Sequence, residues 1–355
     1  MEKRSTKLSA VVMVGVDLGD GSSQVCALDS GGERVLERQV KTTEAGLRGV
    51  FGRLPPCRVV LEAGTPTRWV KRTLETMGHE VKVVNPRKMR RIYENEDKSD
   101  VVDARELADA GLYRWTKLPE VHLRDVASQE KLSVLHARDA LVRSRASLVN
   151  LVRSLLKQEG VVVGKGSTEA FAAKAGPLVP QGLRAAAEPL LAEIAALTAR
   201  IKELDRWVEA AGAREPAVRC LRQVKGVGPV TAAAFVWTLD DPARFAKSRS
   251  AGAFLGLRPR RDQSGETDKQ LRITKTGNPF LRRLLVGCAQ YILGPFGPDT
   301  ALRRWGLKLA ERGGRRAKRK AAVAVARKLA VLLHHLWVTG EVYERFPEVA
   351  GRRVA

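Results

Sequence analysis

The sequence predicts an α/β domain with a mixed sheet, a helical coiled-coil linker, and a mainly helical C-terminal domain with a helix-hairpin-helix-like turn. Three observations carry this reading. Short β-branched runs alternate with amphipathic helical patterns over the first 120 residues, in the order βββαβαβα. Leucine and isoleucine then recur at heptad spacing. From Val224 onward, glycine turns alternate with arginine-rich helical segments. The expected boundaries are 1–120, 121–214 and 215–355.

Val11 to Leu18 is a continuous β-branched run ending in an acid and a glycine turn, the pattern of a buried central strand. Ser23–Leu28 and Arg34–Val40 follow after Gly-Asp-Gly and Ser-Gly-Gly turns and complete a meander. A helical pattern covers Thr43–Leu54, and a strand covers Arg58–Leu61, ending in Glu62 and Ala63-Gly64. Thr65-Pro66 opens a second helix with Trp69, Val70, Leu74 and Met77 on its apolar side and Gly78 closing it. Glu80–Val84 is the fifth strand. After a basic loop, Asp97–Gly111 begins a helix with an apolar stripe of Val101, Ala104, Ala108 and Leu112.

That last helix carries Asp100 and Asp103 three residues apart, hence on one face. Taken alone, the pair fits a solvated first turn, where acids favour the positive end of the helix dipole. Asp17 and Glu62 shift the balance, because both fall at the C-terminal ends of neighbouring predicted strands, the edge where open α/β sheets place their sites. As plain alternatives, Asp17 is a turn residue and Glu62 caps the Thr65-Pro66 helix. If the helix packs across that edge, four carboxylates converge, and such a set requires divalent cations. Oxygen-only ligands favour Mg²⁺ or Mn²⁺ over zinc. Two metals roughly 4 Å apart can hold a scissile phosphate between attacking and leaving oxygens.

Lys and Arg number 63 against 39 Asp and Glu, a formal net charge of +24. An excess that large points to a polyanion, either nucleic acid or an anionic membrane surface. No apolar run reaches the length of a membrane span, and no signal peptide follows the opening MEKRSTK. The expectation is a cytoplasmic, nucleoid-associated protein without a membrane partner. Cys26, Cys57, Cys220 and Cys288 are far apart, with no CxxC pair, and read as reduced core thiols. Aromatics make up 5% of the chain, so phosphate contacts by Lys and Arg are expected to outweigh base stacking.

In the linker, Arg124–Lys157 is a long helical pattern with Leu141, Leu148 and Leu155 seven residues apart and Val152 between them. Val161–Gly182 is a glycine- and proline-bearing connector. Leu190, Ile194, Leu197, Ile201, Leu204 and Val208 then step 4-3-4-3-4. An intramolecular antiparallel hairpin and a subunit-joining coiled coil explain this seam equally well.

In the third region, Val224–Ala233 has Gly226 and Gly228 placed to turn the backbone tightly and to offer amides to a phosphate. Asp241-Pro242 opens a further helix. Arg258, Arg260, Arg261, Lys269, Arg272 and Lys275 surround a Gln-Ser-Gly turn at Ser264, and Asn278-Pro279 caps a helix bearing Arg282 and Arg283. The run Arg312–Lys320, with Arg315, Arg316, Lys318, Arg319 and Lys320, precedes an amphipathic helix over Ala321–Val338. A charge run is usually a solvated face; the overall charge favours a phosphate-binding patch. Most loop serines are turn formers, and Ser264 has no histidine near it in sequence. His79, His122, His136, His334 and His335 lie elsewhere, so a Ser-His-Asp triad is disfavoured.

Together these residues resemble the DEDD-type insertion-sequence transposases, recombinases directed by a bridge RNA. The motifs are VGVDLGDGSSQ around Asp17, VVLEAG around Glu62, DKSDVVDARELA, and VKGVGPVTAAAF, AFLGLRPRRDQSG and ITKTGNPFLRRLL, in that order along nearly the whole chain. The resemblance implies a ribonuclease-H-like (RuvC-like) fold whose Mg²⁺-binding tetrad is Asp17, Glu62, Asp100 and Asp103. It implies that Ser264 attacks DNA to form a phosphoserine link. It further implies partners: double-stranded DNA of the element ends and target, a noncoding guide RNA, and a homodimer or homotetramer. Two positions depart from the family pattern. Lys98-Ser99-Asp100 stands where KTD is common, and Gln263 precedes a single Ser264 where Ser-Ser-Gly is common. The rival expectations are a RuvC-like endonuclease using metal-activated water, an actin- or sugar-kinase-like ATPase built on the Asp17–Ser23 turn, and an inactive nucleic-acid-binding protein.

Overall fold

The computed structural model describes residues 8–85, 99–264, 267–311 and 313–346. The chain divides into two compact units, Met1–Leu123 and Arg124–Ala355.

The first unit is a five-stranded sheet in the order β3-β2-β1-β4-β5, made of β1 (Met13–Leu18), β2 (Ser22–Leu28), β3 (Arg34–Lys41), β4 (Arg58–Glu62) and β5 (Glu80–Val84). The first three pair antiparallel, while β1–β4 and β4–β5 pair parallel. The mixed sheet and the order βββαβαβα agree with the sequence reading. Alternation sorts the strand residues by face. Val14, Val16, Val59, Leu61 and Val83 pack under α1 (Glu44–Phe51) and α2 (Thr67–Thr76), with Leu47, Phe51, Val70 and Leu74. Met13, Val60 and Val84 face α3 (Asp100–Arg114), meeting Ala104, Leu107 and Ala108. Helix α1 starts where Thr43 Oγ1 accepts from the Gly46 amide. Asp97, Lys98 and the basic loop before them lie outside the described residues.

In the second unit α4 (Val126–Gln158) and α6 (Arg184–Ala213) form an antiparallel hairpin. Arg138 pairs with Asp205 at 2.5 Å, and seven residues on, Arg145 donates to Thr198 Oγ1, seven residues back. Four of the six seam residues, Ile194, Leu197, Ile201 and Val208, are buried within this chain, while Leu190 and Leu204 are half-buried. On α4 the buried stripe is Arg145, Val149, Val152 and Leu156, while the expected Leu141, Leu148 and Leu155 flank it half-buried. The connector is less irregular than expected. It holds α5 (Phe171–Ala175), whose Phe171 and Ala175 join Val163 and Val179 in a small core at the end where the connector joins the two helices.

The remaining core gathers around α8 (Pro229–Leu239), which is buried from Thr231 to Leu239. Around it stand α7 (Pro216–Leu221), α9 (Arg249–Phe254), α10 (Pro279–Leu293), α11 (Ala301–Ala310) and α12 (Gly314–Thr339). Three expectations change here. Asp241-Pro242 opens a single 3₁₀ turn, Pro242–Arg244, held by Asp241 accepting from the Ala243 amide. The segment around Ser264 is a two-stranded hairpin, β6 (Pro259–Ser264) with β7 (Thr267–Ile273). The basic run does not precede the last helix but forms its first turns from Gly314, Arg312 lying outside the described residues. Helix α12 also has an 18-residue window apolar enough, by length and composition, to cross a bilayer, where no such run was expected. Half of that window is buried within the unit, against residues such as Leu281 and Leu285.

Candidate active site

The carboxylates occupy one face of the sheet. Asp17 follows Gly15 and Met13 by the strand period of two, and Glu62 follows Val60, so both lie on the α3 side. The β1–β4 register runs from Met13–Arg58 to Val16–Leu61, and Asp17 and Glu62 come next on strands about 4.8 Å apart.

Helix α3 runs antiparallel to β1 across this face. Gly111 stands over Met13 and Val60: a Cβ there would lie 2.5 Å from Met13 Sδ and 2.7 Å from Val60 Cγ2. Farther along, Gly15 meets the backbone of Ala108 and Ala104. Two strand residues advance about 6.6 Å, as do four to five helix residues at 1.5 Å each. Continuing the register carries Asp17 to the first turn of α3, where Asp100 and Asp103 stand. Ser99 caps that turn, its Oγ accepting from the Val102 amide at 3.3 Å. Asp100 is exposed, while Asp17, Glu62 and Asp103 are half-buried.

The donor set is all oxygen, which suits Mg²⁺ or Mn²⁺. The side chains as placed do not close on one point: among the described residues no group of three or more His, Cys, Asp or Glu is drawn tightly enough to hold a metal ion. The fit to a metal is therefore one of donor chemistry and of backbone placement at a shared edge.

Ser264 ends β6, exposed, and pairs with Thr267 of β7. Gly265 of the expected Gln-Ser-Gly turn, and Glu266, lie outside the described residues. Around the hairpin, Arg258, Arg260, Lys269, Arg272 and Lys275 are exposed, with no carboxylate partner recorded among the described residues. Others are committed to the fold. Arg282 Nη1 donates to the Leu255 carbonyl at 2.9 Å, and burial lowers its pKa. Arg283 pairs with Asp139 at 2.5 Å, and Arg261 with Asp268 at 2.7 Å.

Two further anion-seeking features lie in the same unit. Gly226 turns with φ +98° against Tyr291 and Ile292, where a Cβ would approach both to 3.0 Å. Gly228 then begins α8 with no side-chain cap, followed by Pro229, which has no amide hydrogen to satisfy. On α12, Arg315, Arg316, Lys318, Arg319 and Lys320 are exposed at the helix start, with no acid in the first turn. Cations there oppose the helix dipole, a cost that a bound polyanion relieves.

Sequence reasoning missed the β6–β7 hairpin, because strands exposed on both faces show no apolar alternation.

Comparison with known proteins decides the family. Residues 14–160 match the model of the DEDD transposase of IS110 type, and residues 218–301 match that of the transposase IS116/IS110/IS902 family. A probable family 20 transposase of Pseudomonas aeruginosa is 31% identical over 328 residues, covering 90% of this chain and 95% of the relative. The chain belongs to the IS110 family of transposases. The transposase for insertion sequence element IS1111A of Coxiella burnetii is 28% identical over 96% of this chain and 94% of its own. That for element IS1328 of Yersinia enterocolitica is 28% identical over 79% and 83%. The transposase is therefore an enzyme of DNA recombination that moves an insertion sequence. The first matched segment contains the carboxylate edge, and the second contains both strands of the β6–β7 hairpin with Ser264.

Proposed function

We propose that the first unit is a ribonuclease-H-like nuclease domain in which Asp17, Glu62, Asp100 and Asp103 hold Mg²⁺ or Mn²⁺. The carrying observation is the register that sets Asp17 and Glu62 on adjacent strand ends, on the face crossed by the first turn of α3. When bound, the metal neutralises phosphate charge and stabilises an oxygen leaving phosphorus.

Ser264 is the nucleophile in this reading. Its Oγ–phosphorus bond forms as the P–O3′ bond of DNA breaks, and the serine proton ends on the released 3′-hydroxyl. Rejoining is the reverse attack by a different 3′-hydroxyl. No bond energy is lost to water, so exchange needs no nucleotide cofactor. Position at the end of β6, exposed in a hairpin that also carries Arg260 and Lys269, suits a group that must reach a phosphodiester in a groove.

The basic surfaces serve DNA at the element ends and target. A noncoding guide RNA supplies sequence choice by base pairing, which leaves the protein to read backbone shape. The working form is a homodimer or homotetramer, acting in the cytoplasm on nucleoid DNA. The reading is tested by strand cleavage of element-end DNA with Mg²⁺. Asp103→Asn is expected to abolish cleavage while retaining DNA binding; cleavage at the wild-type rate by that variant would remove the tetrad.

A further inference from the structure

We infer that Arg258, Arg261 and Arg327 form a clamp for one backbone phosphate of the DNA strand presented to the β6–β7 hairpin. The three arginines and Pro259 line an open cleft of about 380 Å³ where the base of the hairpin meets α12. Every charged residue lining it is cationic. Three guanidinium groups sharing a cleft repel one another, and an anion between them removes that penalty.

The three side chains are held in different ways. Arg258 is exposed, and its backbone carbonyl accepts from the Thr274 amide, fixing the foot of the hairpin. Arg261 gives one N–H to Asp268 at 2.7 Å, and a guanidinium has five to give. Arg327 is half-buried and comes from a different element, two turns beyond the basic start of α12. Its stem packs over the bare backbone of Gly252, where a Cβ would lie 3.2 Å from Arg327 Cγ. No carboxylate partner of Arg327 is recorded among the described residues. Arg327 was not among the residues that the sequence singled out, because it lies in an apolar helix away from the basic run.

Planar forks from two elements suit the tetrahedral oxygens of a phosphodiester, which guanidinium groups bind bidentately. Arg261 is three residues before Ser264, about 10 Å along the strand. The odd spacing turns Arg261 and Ser264 to opposite faces of the ribbon, so a strand that reaches the serine passes round the hairpin edge, with clamp and serine on different phosphates. This last step rests on the proposed role of Ser264; binding of a phosphate in the cleft does not.

The test uses the full chain without divalent metal, so that no strand is cut, and a fluorescent DNA duplex of generic sequence. Affinity is measured by anisotropy across a salt series. Arg327→Gln is expected to weaken binding and to flatten the log K against log[salt] slope by about one unit, the signature of one lost phosphate contact. Ser264→Ala is expected to leave slope and affinity unchanged, which separates the clamp from the nucleophile. Arg258→Gln, at an exposed position, repeats the test should Arg327→Gln fold poorly. A wild-type slope in a folded Arg327→Gln, or in Arg258→Gln, overturns the proposal. A slope change with an RNA duplex but not with DNA overturns it as well, since the clamp would then serve the guide.

Discussion

Gly15 of β1 and Ala104 of α3 meet backbone to backbone: a Cβ on the glycine would collide with the Ala104 carbonyl oxygen and the Ala108 amide. This approach, two residues before Asp17 and one residue after Asp103, fixes how close the helix carrying two carboxylates lies to the strand carrying a third. Gly15→Val is expected to push α3 away from the sheet, costing about 1–3 kcal/mol of stability. Gly21→Ala, where nothing lies within 4 Å of the added Cβ, is the matched control. Thermal melting of the two variants should show a drop for the first and little change for the second. Equal melting temperatures would mean that the close approach is not a constraint.

The four carboxylates should behave as one unit. Asp17→Asn, Glu62→Gln and Asp103→Asn are each expected to slow strand cleavage by at least about 10²-fold, the scale of losing one electrostatic group from an active site. Combining two of them should cost little more than one. Chelation of divalent metal should reproduce the loss in the wild type. Single variants that retain full cleavage rates, or losses that simply multiply, would break up the set.

His79 makes stability pH-dependent. It is buried against Phe51, and its Nδ1 accepts from the Cys57 amide at 3.3 Å. Burial lowers its pKa below the ordinary 6.5. The unfolded chain therefore takes up a proton near pH 6.5 that the folded chain resists, so stability falls as pH drops below about 6.5 toward the folded value. Burial lowers the pKa of His136 too, acting in the same direction. Melting temperatures from pH 7.5 to 5 should decline, and His79→Gln should reduce the decline. A pH profile unchanged by the substitution would assign the effect elsewhere.

The thiols should differ in reactivity. Burial pushes Cys57 up to about 12 and Cys26 up to about 11, leaving almost no thiolate at neutral pH. Cys220 is partly exposed. Alkylation of the native protein followed by peptide mass analysis should mark Cys220 first, with Cys26 and Cys57 labelled only on unfolding. Early labelling of Cys57 would contradict its place under α1 and α2.

Much of this was legible in the sequence. The strand ends at Asp17 and Glu62 could be placed because buried strands are apolar runs that stop at a polar residue and a glycine. The cap of α10 was visible too: Asn278 accepts from the Leu281 amide at 3.0 Å, as its position before Pro279 implied. What escaped depends on packing. The buried stripe of α4 includes Arg145, a residue that a hydrophobic pattern counts as surface, while Leu148 stays half-buried. In the hairpin under Ser264 the described residues from Arg260 to Arg272 are exposed, which leaves no apolar period of two. The partnership of Arg327 with Arg258 and Arg261 joins residues about 66 to 69 positions apart, which only folding brings together.

The central claim is that one exposed serine, Ser264 at the end of β6, carries the DNA strand. Denaturing gels of the full-length protein incubated with Mg²⁺ and DNA of the element ends, with its guide RNA, measure this directly. The wild type is predicted to give a protein–DNA adduct that survives denaturation, and Ser264→Ala to give none while still binding DNA. An adduct that persists in Ser264→Ala, or cleaved free ends with no adduct in the wild type, would contradict the claim and favour hydrolysis by a metal-activated water.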